Sequence, residues 1–175
     1  MLDVGIYGCG TIGTEICRQV KHFENVQITC IMDRNQFKAV NLAKELEPRP
    51  QILPVEEMVK LVYIIVECVS REVVFEITMP ALERGVDVMI MSTGALLCTE
   101  RYKELLSLAE KNAARIYVPS GAVVGIDGIK AAAMGGIEQI TLTSIKPKKG
   151  LIDAPYLKDN NINLNLLNSR TVLFE

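Results

Sequence analysis

Apolar and polar residues alternate at the start of the chain, with Leu2, Val4 and Ile6 on one side of the pattern, until the run breaks at Gly8-Cys9-Gly10-Thr11-Ile12-Gly13. The alternation predicts a strand, and the pattern that follows predicts a helix from Thr11 to about Phe23. A second apolar run, Val26, Ile28, Cys30, Ile31 and Met32, reads as the next strand, and Asp33 closes it. From Gln36 to about Leu46, Phe37, Val40, Ala43 and Leu46 recur at helical spacing, with Lys38, Asn41, Lys44 and Glu45 off that stripe. This is the pattern of an amphipathic helix packed on a sheet. Pro48, Pro50 and Pro54 break it, leaving a short strand at Ile52-Leu53 and a helical turn or two over Glu56 to Lys60.

Leu61 to Val66 is a continuous apolar run rich in β-branched residues, as expected of a parallel strand covered on both faces. Arg71 to Arg84 reads as a helix that Pro80 kinks or restarts, with Gly85 as its cap. Val86 to Met91 predicts another buried strand, Thr99 to Asn112 a helix with Tyr102, Leu105, Leu106 and Ala109 on one face, and Arg115 to Val118 a sixth strand. Strand and helix alternate throughout, which indicates an α/β fold, a doubly wound parallel sheet of Rossmann type. After the sixth strand the pattern changes. Ile129 to Gly135 predicts a short helix, Gln139 to Lys146 a strand with unlike faces, and Arg170 to Phe174 a return to strand-like residues. Residues 1–122 are therefore expected to form the nucleotide-binding domain, and 123–175 the beginning of a second, α+β domain.

The glycine turn carries the chemistry. Between strand and helix the chain must turn sharply, bring its backbone to a pyrophosphate and pack the helix closely on the strand; Gly8, Gly10 and Gly13 supply those needs. The helix beginning at Thr11 and Ile12 aims its unpaired N–H groups and positive dipole end at the phosphates. Asp33, about twenty residues beyond Gly13, is placed to hold the adenosine ribose hydroxyls. It would also repel a 2′-phosphate, whereas the adjacent Arg34 could pair with one; the expectation is use of NAD or NADP with NAD preferred. Cys68, Val69 and Ser70 follow a buried strand, and Ser92, Thr93 and Gly94 follow the next; both stretches lie where open α/β sheets bind ligands. A plain loop with Ser70 as helix cap is the alternative for the first.

Composition narrows the partners. The 175 residues are 49% hydrophobic and 23% charged, with a net charge of −2 and both signs interspersed. Nothing there argues for nucleic acid or an anionic membrane, and no apolar run approaches the ~18 residues of a membrane span. The chain opens directly on its first strand, so no signal peptide is expected. Five cysteines, Cys9, Cys17, Cys30, Cys68 and Cys98, are odd in number and lack metal-ligand spacing. They read as reduced residues of a cytoplasmic protein, with Cys9, inside the turn, as either a core residue or a reactive thiol. No metal site is expected.

Four segments together carry a family resemblance: Ile6 to Gly13, Ser92-Thr93-Gly94-Ala95-Leu96, Pro119-Ser120-Gly121-Ala122-Val123-Val124-Gly125-Ile126-Asp127-Gly128, and Leu142-Thr143-Ser144-Ile145-Lys146-Pro147. The chain resembles the L-aspartate dehydrogenase family along its whole length. The resemblance implies oxidation of L-aspartate with NAD or NADP to iminoaspartate, which feeds quinolinate and NAD synthesis or hydrolyses to oxaloacetate and ammonia. It further implies a Rossmann domain joined to an α+β domain that forms a homodimer, and contact of Ala122 with the cofactor. Family members continue past the position of Glu175, and that part holds a cofactor-contacting asparagine and the acid/base histidine. Neither is carried over, and no catalytic residue is assigned. The single histidine, His22, lies near the end of the first helix and reads as an exposed residue at a helix C-terminus.

Function is thus narrowed to three readings. In the first, hydride passes from L-aspartate to the nicotinamide, with Lys146, Lys148, Lys149 and Arg170 as candidate partners for the substrate carboxylates. In the second, the chain is a truncated, inactive relative that binds the dinucleotide. In the third it is another Rossmann enzyme, related to homoserine dehydrogenase or dihydrodipicolinate reductase; this explains the glycine turn but not the segment from Ser120 to Gly128.

Overall fold

The computed structural model describes residues 1–120, 125–152 and 154–173. The chain divides into two compact units, Met1–Val124 and Gly125–Glu175.

The first unit alternates β1 (Leu2–Tyr7), α1 (Thr11–Val20), β2 (Val26–Met32), α2 (Gln36–Glu45), β3 (Gln51–Ile52), α3 (Val55–Met58), β4 (Ile64–Glu67), α4 (Val74–Glu83), β5 (Asp87–Ile90), α5 (Thr99–Lys111) and β6 (Ile116–Tyr117). The six strands form one sheet in the order β3-β2-β1-β4-β5-β6, and every pair is parallel. Chain order therefore runs outward from β1 to one edge and then outward from β4 to the other. The reversal between β1 and β4 makes the switch point at which open α/β sheets leave a crevice.

Strand periodicity explains the two cores. Successive side chains point to opposite faces, so Cys30 and Ile65 enter one apolar cluster with Met58, Ile77, Leu82 and Leu105, whereas Ile31 and Val66 enter the other with Ile6, Cys17, Leu42 and Ala43. Helices α3, α4 and α5 cover the first face, and α1 and α2 the second. Each fully buried Leu or Ile contributes about 1.5–3 kcal/mol by leaving water, which is why the strands tolerate so few polar residues.

Element ends depart from the sequence pattern where burial overrides periodicity. Helix α1 stops at Val20, and His22 and Phe23 continue only as a turn. In α2 the buried face is Ala39, Leu42 and Ala43, whereas Phe37 is 81% exposed; small residues let the helix approach the sheet, and the bulky Phe37 is left outside. Helix α4 begins at Val74, not Arg71; Arg71 and Glu72, exposed and paired with each other, lie in the turn that Val73 N closes onto Ser70 O. Ser70 consequently heads the preceding turn and does not cap α4. The helix continues through Pro80. Gly85, at φ +73°, ends it in a Schellman turn, donating to Leu82 O at 3.1 Å while Val86 donates to Ala81 O at 3.0 Å. In α5, Leu105 and Ala109 are buried but Leu106 is 45% exposed.

The second unit holds α6 (Ile126–Ala133) and α7 (Pro155–Asp159), with 3-10 turns at Lys148–Gly150 and Leu164–Leu166. The strand expected at Gln139 to Lys146 does not form, nor does one over Arg170 to Leu173; Phe174 lies outside the described residues. Ile140, Leu142 and Ile145 stand exposed. Alternation alone does not make a strand, since its backbone groups need a partner edge, and among the described residues of this unit none pairs with it.

Candidate functional site

The strand ends at the switch point converge on the glycine turn. Gly8 sits at φ +110°, a conformation that L side chains rarely adopt, and a Cβ there would collide with the Cys68 carbonyl. A Cβ on Gly13 would strike the Gly8 carbonyl. Both glycines are therefore required by the protein's own packing. Gly10 differs: its φ of −79° is ordinary, and a Cβ would meet nothing within 4 Å. The space in front of Gly10 is open for a ligand's approach.

Helix α1 presents its first turn to that space without a side-chain cap or an acidic residue. Its free N–H groups and dipole suit an anion. Thr11 and Ile12 are exposed there. A shallow cleft of about 530 Å³ runs beside the turn, lined among others by Gly10, Thr11, Lys38 and Asn41.

Asp33 locks the turn from the end of β2. Its Oδ2 accepts from Cys9 N at 2.8 Å and its Oδ1 from Asn35 N at 2.7 Å. A carboxylate offers about four acceptor positions, so two remain for a ligand's hydroxyls. Arg34 stands exposed beside it. Across the switch point, Cys68 donates from its N–H to Tyr7 O at 2.8 Å, which brings Cys68 and Val69 alongside the turn. Ser92 begins the loop after β5, and Thr93 and Gly94 lie exposed in its 3-10 turn, Thr93–Leu97. Ala122 lies outside the described residues. The remaining candidates thus gather at the carboxyl ends of β1, β2, β4 and β5.

Sequence reasoning missed Glu67. It is the last residue of β4 and fully buried, and it accepts from Val69 N at 2.7 Å, Ser92 N at 3.0 Å and the Ser92 hydroxyl at 2.8 Å. The available signal was a lone acid terminating an apolar run, as Asp33 terminates its own.

Burial holds the thiols beneath the turn in their protonated form. Burial, reinforced by the charge of Asp33, pushes Cys9 up to about 11; burial, then the charge of Glu67, pushes Cys68 up to about 12. Cys9 donates to Met32 O at 3.6 Å and is buried, so it serves as a core residue and not as a nucleophile. Of the five cysteines, all free, Cys98 alone is exposed. A thiol-specific chromogenic reagent at neutral pH is expected to react promptly with one group in the native protein and with all five after denaturation; prompt labelling of Cys9 would contradict this placement.

Residues 8–119 match the family described as homoserine dehydrogenase, NAD binding domain, and residues 127–175 match aspartate dehydrogenase, C-terminal. L-aspartate dehydrogenase of Methanosarcina mazei is 42% identical over 177 aligned residues, covering 100% of this chain and 65% of the relative. That of Bradyrhizobium diazoefficiens is 34% identical, covering 99% and 61%. The chain belongs to the L-aspartate dehydrogenase family. It spans about two thirds of the length of its curated relatives. The crystal structure of aspartate dehydrogenase from Thermotoga maritima is 26% identical to this family member and superposes with a TM-score of 0.54, covering 75% of this chain and 51% of that one. GenD2 from gentamicin A biosynthesis, in complex with NAD, superposes at 0.64 with 16% identity, covering 77% and 39%, and bears on the fold alone.

The other sequence candidates are His22 and four cations of the second unit. His22 is exposed beyond the C-terminal end of α1, about 15 Å along the helix from the glycine turn. Lys146, Lys148, Lys149 and Arg170 are exposed in the second unit. Among the described residues no cluster is able to hold a metal ion, and no helix is long and apolar enough to cross a membrane.

Proposed function

We propose that this chain binds NAD or NADP at the β1–β4 switch point and belongs to an enzyme that oxidises L-aspartate to iminoaspartate, which then hydrolyses to oxaloacetate and ammonia or enters quinolinate and NAD synthesis. The observation that carries the reading is the open space at Gly10, in front of the uncapped end of α1 and beside the anchored Asp33. A pyrophosphate fits that combination of close backbone, free N–H groups and positive dipole. Gly8, Gly10, Thr11, Ile12 and Gly13 would form the cradle, and Asp33 would take the ribose hydroxyls. Cys68, Val69, Ser92, Thr93, Gly94 and Ala122 would border the nicotinamide. When bound, the nicotinamide supplies hydride acceptance.

Asp33 favours NAD, because a 2′-phosphate would face a fixed carboxylate; Arg34 leaves NADP as a weaker alternative. The cationic residues Lys146, Lys148, Lys149 and Arg170 are assigned to the substrate's carboxylates. Residues 123–175, matching the C-terminal family of aspartate dehydrogenases, would serve substrate binding and homodimerisation. Cytoplasmic placement is in keeping with the five free cysteines.

Titration with NADH, alongside nicotinamide absorbance in a mixture of the chain, L-aspartate and NAD, tests the proposal. Saturable NADH binding with steady aspartate-dependent reduction is expected. Binding without reduction would leave a dinucleotide-binding protein and remove the dehydrogenase reading from these residues. Absence of binding would overturn both.

A further inference from the structure

Glu67 and Thr78 are the buried polar side chains among the described residues, and Thr78 spends its hydroxyl on the Val74 carbonyl one helical turn back. Glu67 has a different occupation. A carboxylate removed from water is costly unless hydrogen bonds or a cation compensate it, and none of the ion pairs among the described residues involves Glu67. Among the described residues its compensation comes from the loops that leave β4 and β5. Oε1 accepts from Val69 N and from the Ser92 hydroxyl, and Oε2 accepts from Ser92 N. The Ser92 hydroxyl also stands 2.6 Å from Val69 O, so it bridges the same two loops. Backbone continues the tie, with Met91 N donating to Glu67 O at 3.2 Å.

The arrangement repeats across the switch point. On one side Asp33 ties the end of β2 to the glycine turn through Cys9; on the other Glu67 ties the end of β4 to the end of β5. An acid at the end of β2 marks the adenosine side of the crevice, so the loops held by Glu67 belong to the opposite, nicotinamide side. Both loops carry residues assigned above to that end.

We propose that Glu67 is a positioning residue for the nicotinamide half of the cofactor, fixing the Val69 and Ser92 loops against one another from beneath the site. This rests on the dinucleotide-binding reading. Glu67→Gln isolates the role: an amide fills the same volume but accepts at one end only, so its NH₂ must face either Val69 N–H or Ser92 N–H, and one tie is lost. Ser92→Ala removes the hydroxyl bridge and leaves the backbone bond.

The experiment titrates NADH and ADP, which carries only the adenosine side, into the parent chain and both variants, with thermal melts in parallel. Glu67→Gln is expected to weaken NADH about tenfold while ADP stays within about twofold, and Ser92→Ala to show the same selectivity more weakly. A purely structural carboxylate would weaken both ligands together. That result, or unchanged NADH affinity in the two variants, overturns the proposal. Should Glu67→Gln fail to fold, the ratio of NADH to ADP affinities in Glu67→Asp, which keeps the charge but shortens its reach to Val69 N and Ser92 N, decides. A parent chain that binds neither ligand overturns the dinucleotide reading itself, an outcome distinct from a parent that binds both and variants that lose both equally.

Discussion

Gly10→Ala is expected to abolish most cofactor affinity while costing the fold no more than about 1 kcal/mol, the difference between Gly and Ala at a helix N-cap. The parent backbone at Gly10 is extended, with φ −79° and ψ −165°, which alanine adopts without strain, and its new methyl would meet no protein atom within 4 Å. The methyl would instead occupy the space where the pyrophosphate must approach. Overpacking of this kind costs about 1–3 kcal/mol, or roughly 5- to 150-fold in affinity. Gly8→Ala is the contrasting variant. There the methyl meets the Cys68 carbonyl and the backbone stands at φ +110°, so left-handed strain of about 1–2 kcal/mol adds to an overpacking cost of similar size. Melting temperature should fall by only a few degrees for Gly10→Ala and much further for Gly8→Ala, whereas NADH titration should show weakened binding for both. Undiminished NADH affinity in Gly10→Ala would mean that no ligand approaches the turn.

That contrast also shows which parts of the site sequence can reveal. Three glycines at fixed spacing after an apolar strand imply a nucleotide turn, because each chemical need excludes a side chain. The spacing does not say which glycine faces the ligand and which faces the protein; the Cys68 and Gly8 carbonyls decide that, and both are tertiary neighbours. Asp33 was legible as the acid that closes the apolar run of β2. Its bond from Cys9 N was not, since Cys9 lies 24 residues away, whereas the bond from Asn35 N, two residues on, is local. Glu67 was hidden for the same reason: its partners in the Ser92 loop lie 25 residues on, and as a lone acid beside Cys68 it reads as part of a loop.

The fold was legible where one periodicity dominated. Apolar runs of β-branched residues located the parallel strands, although β4 runs from Ile64 to Glu67 and not from Leu61 to Val66, because Leu61 still belongs to the turn after α3. In α2 a spacing of three or four residues admitted two stripes; Ala43 and Leu46 of the expected one pack on the core, but Ala39 and Leu42 take the place of Phe37, which stands exposed. Helix α6 was expected from Ile129 but begins at Ile126, after Gly125 at φ +91°. The segment Gln139 to Lys146 carries the alternation of a strand without forming one. Its residues state which face would be apolar, but a ladder also requires an edge to pair with.

Asp33→Ser should raise the affinity of NADPH relative to NADH by about tenfold or more, and in doing so should loosen the turn. The first effect is electrostatic. Removing a unit charge a few ångströms from a phosphate relieves a repulsion of about 1–4 kcal/mol per charge pair at effective dielectric constants of 80 to 20, and exposed Arg34 remains next to it as a bidentate partner. The second effect is structural. The carboxylate bonds Cys9 N and Asn35 N through different oxygens, and a single serine oxygen cannot reproduce both. Hydrogen bonds to charged groups contribute about 1.5–3 kcal/mol each, so the variant should melt at a lower temperature and bind NADH less tightly, even as its preference moves toward NADPH. Titrations of both reduced cofactors, with thermal melts in parallel, separate the effects: an unchanged affinity ratio would remove Asp33 from the ribose, and an unchanged melting temperature would remove it from the turn. Adding Arg34→Ala to Asp33→Ser should cut the gain in NADPH back to the part that relief of repulsion supplies, without further change in NADH, because the guanidinium has no bond to lose in the NAD-bound arrangement proposed here. If the double variant keeps the gain, relief of repulsion alone accounts for it, and Lys38 in the adjoining cleft becomes the cation to replace next.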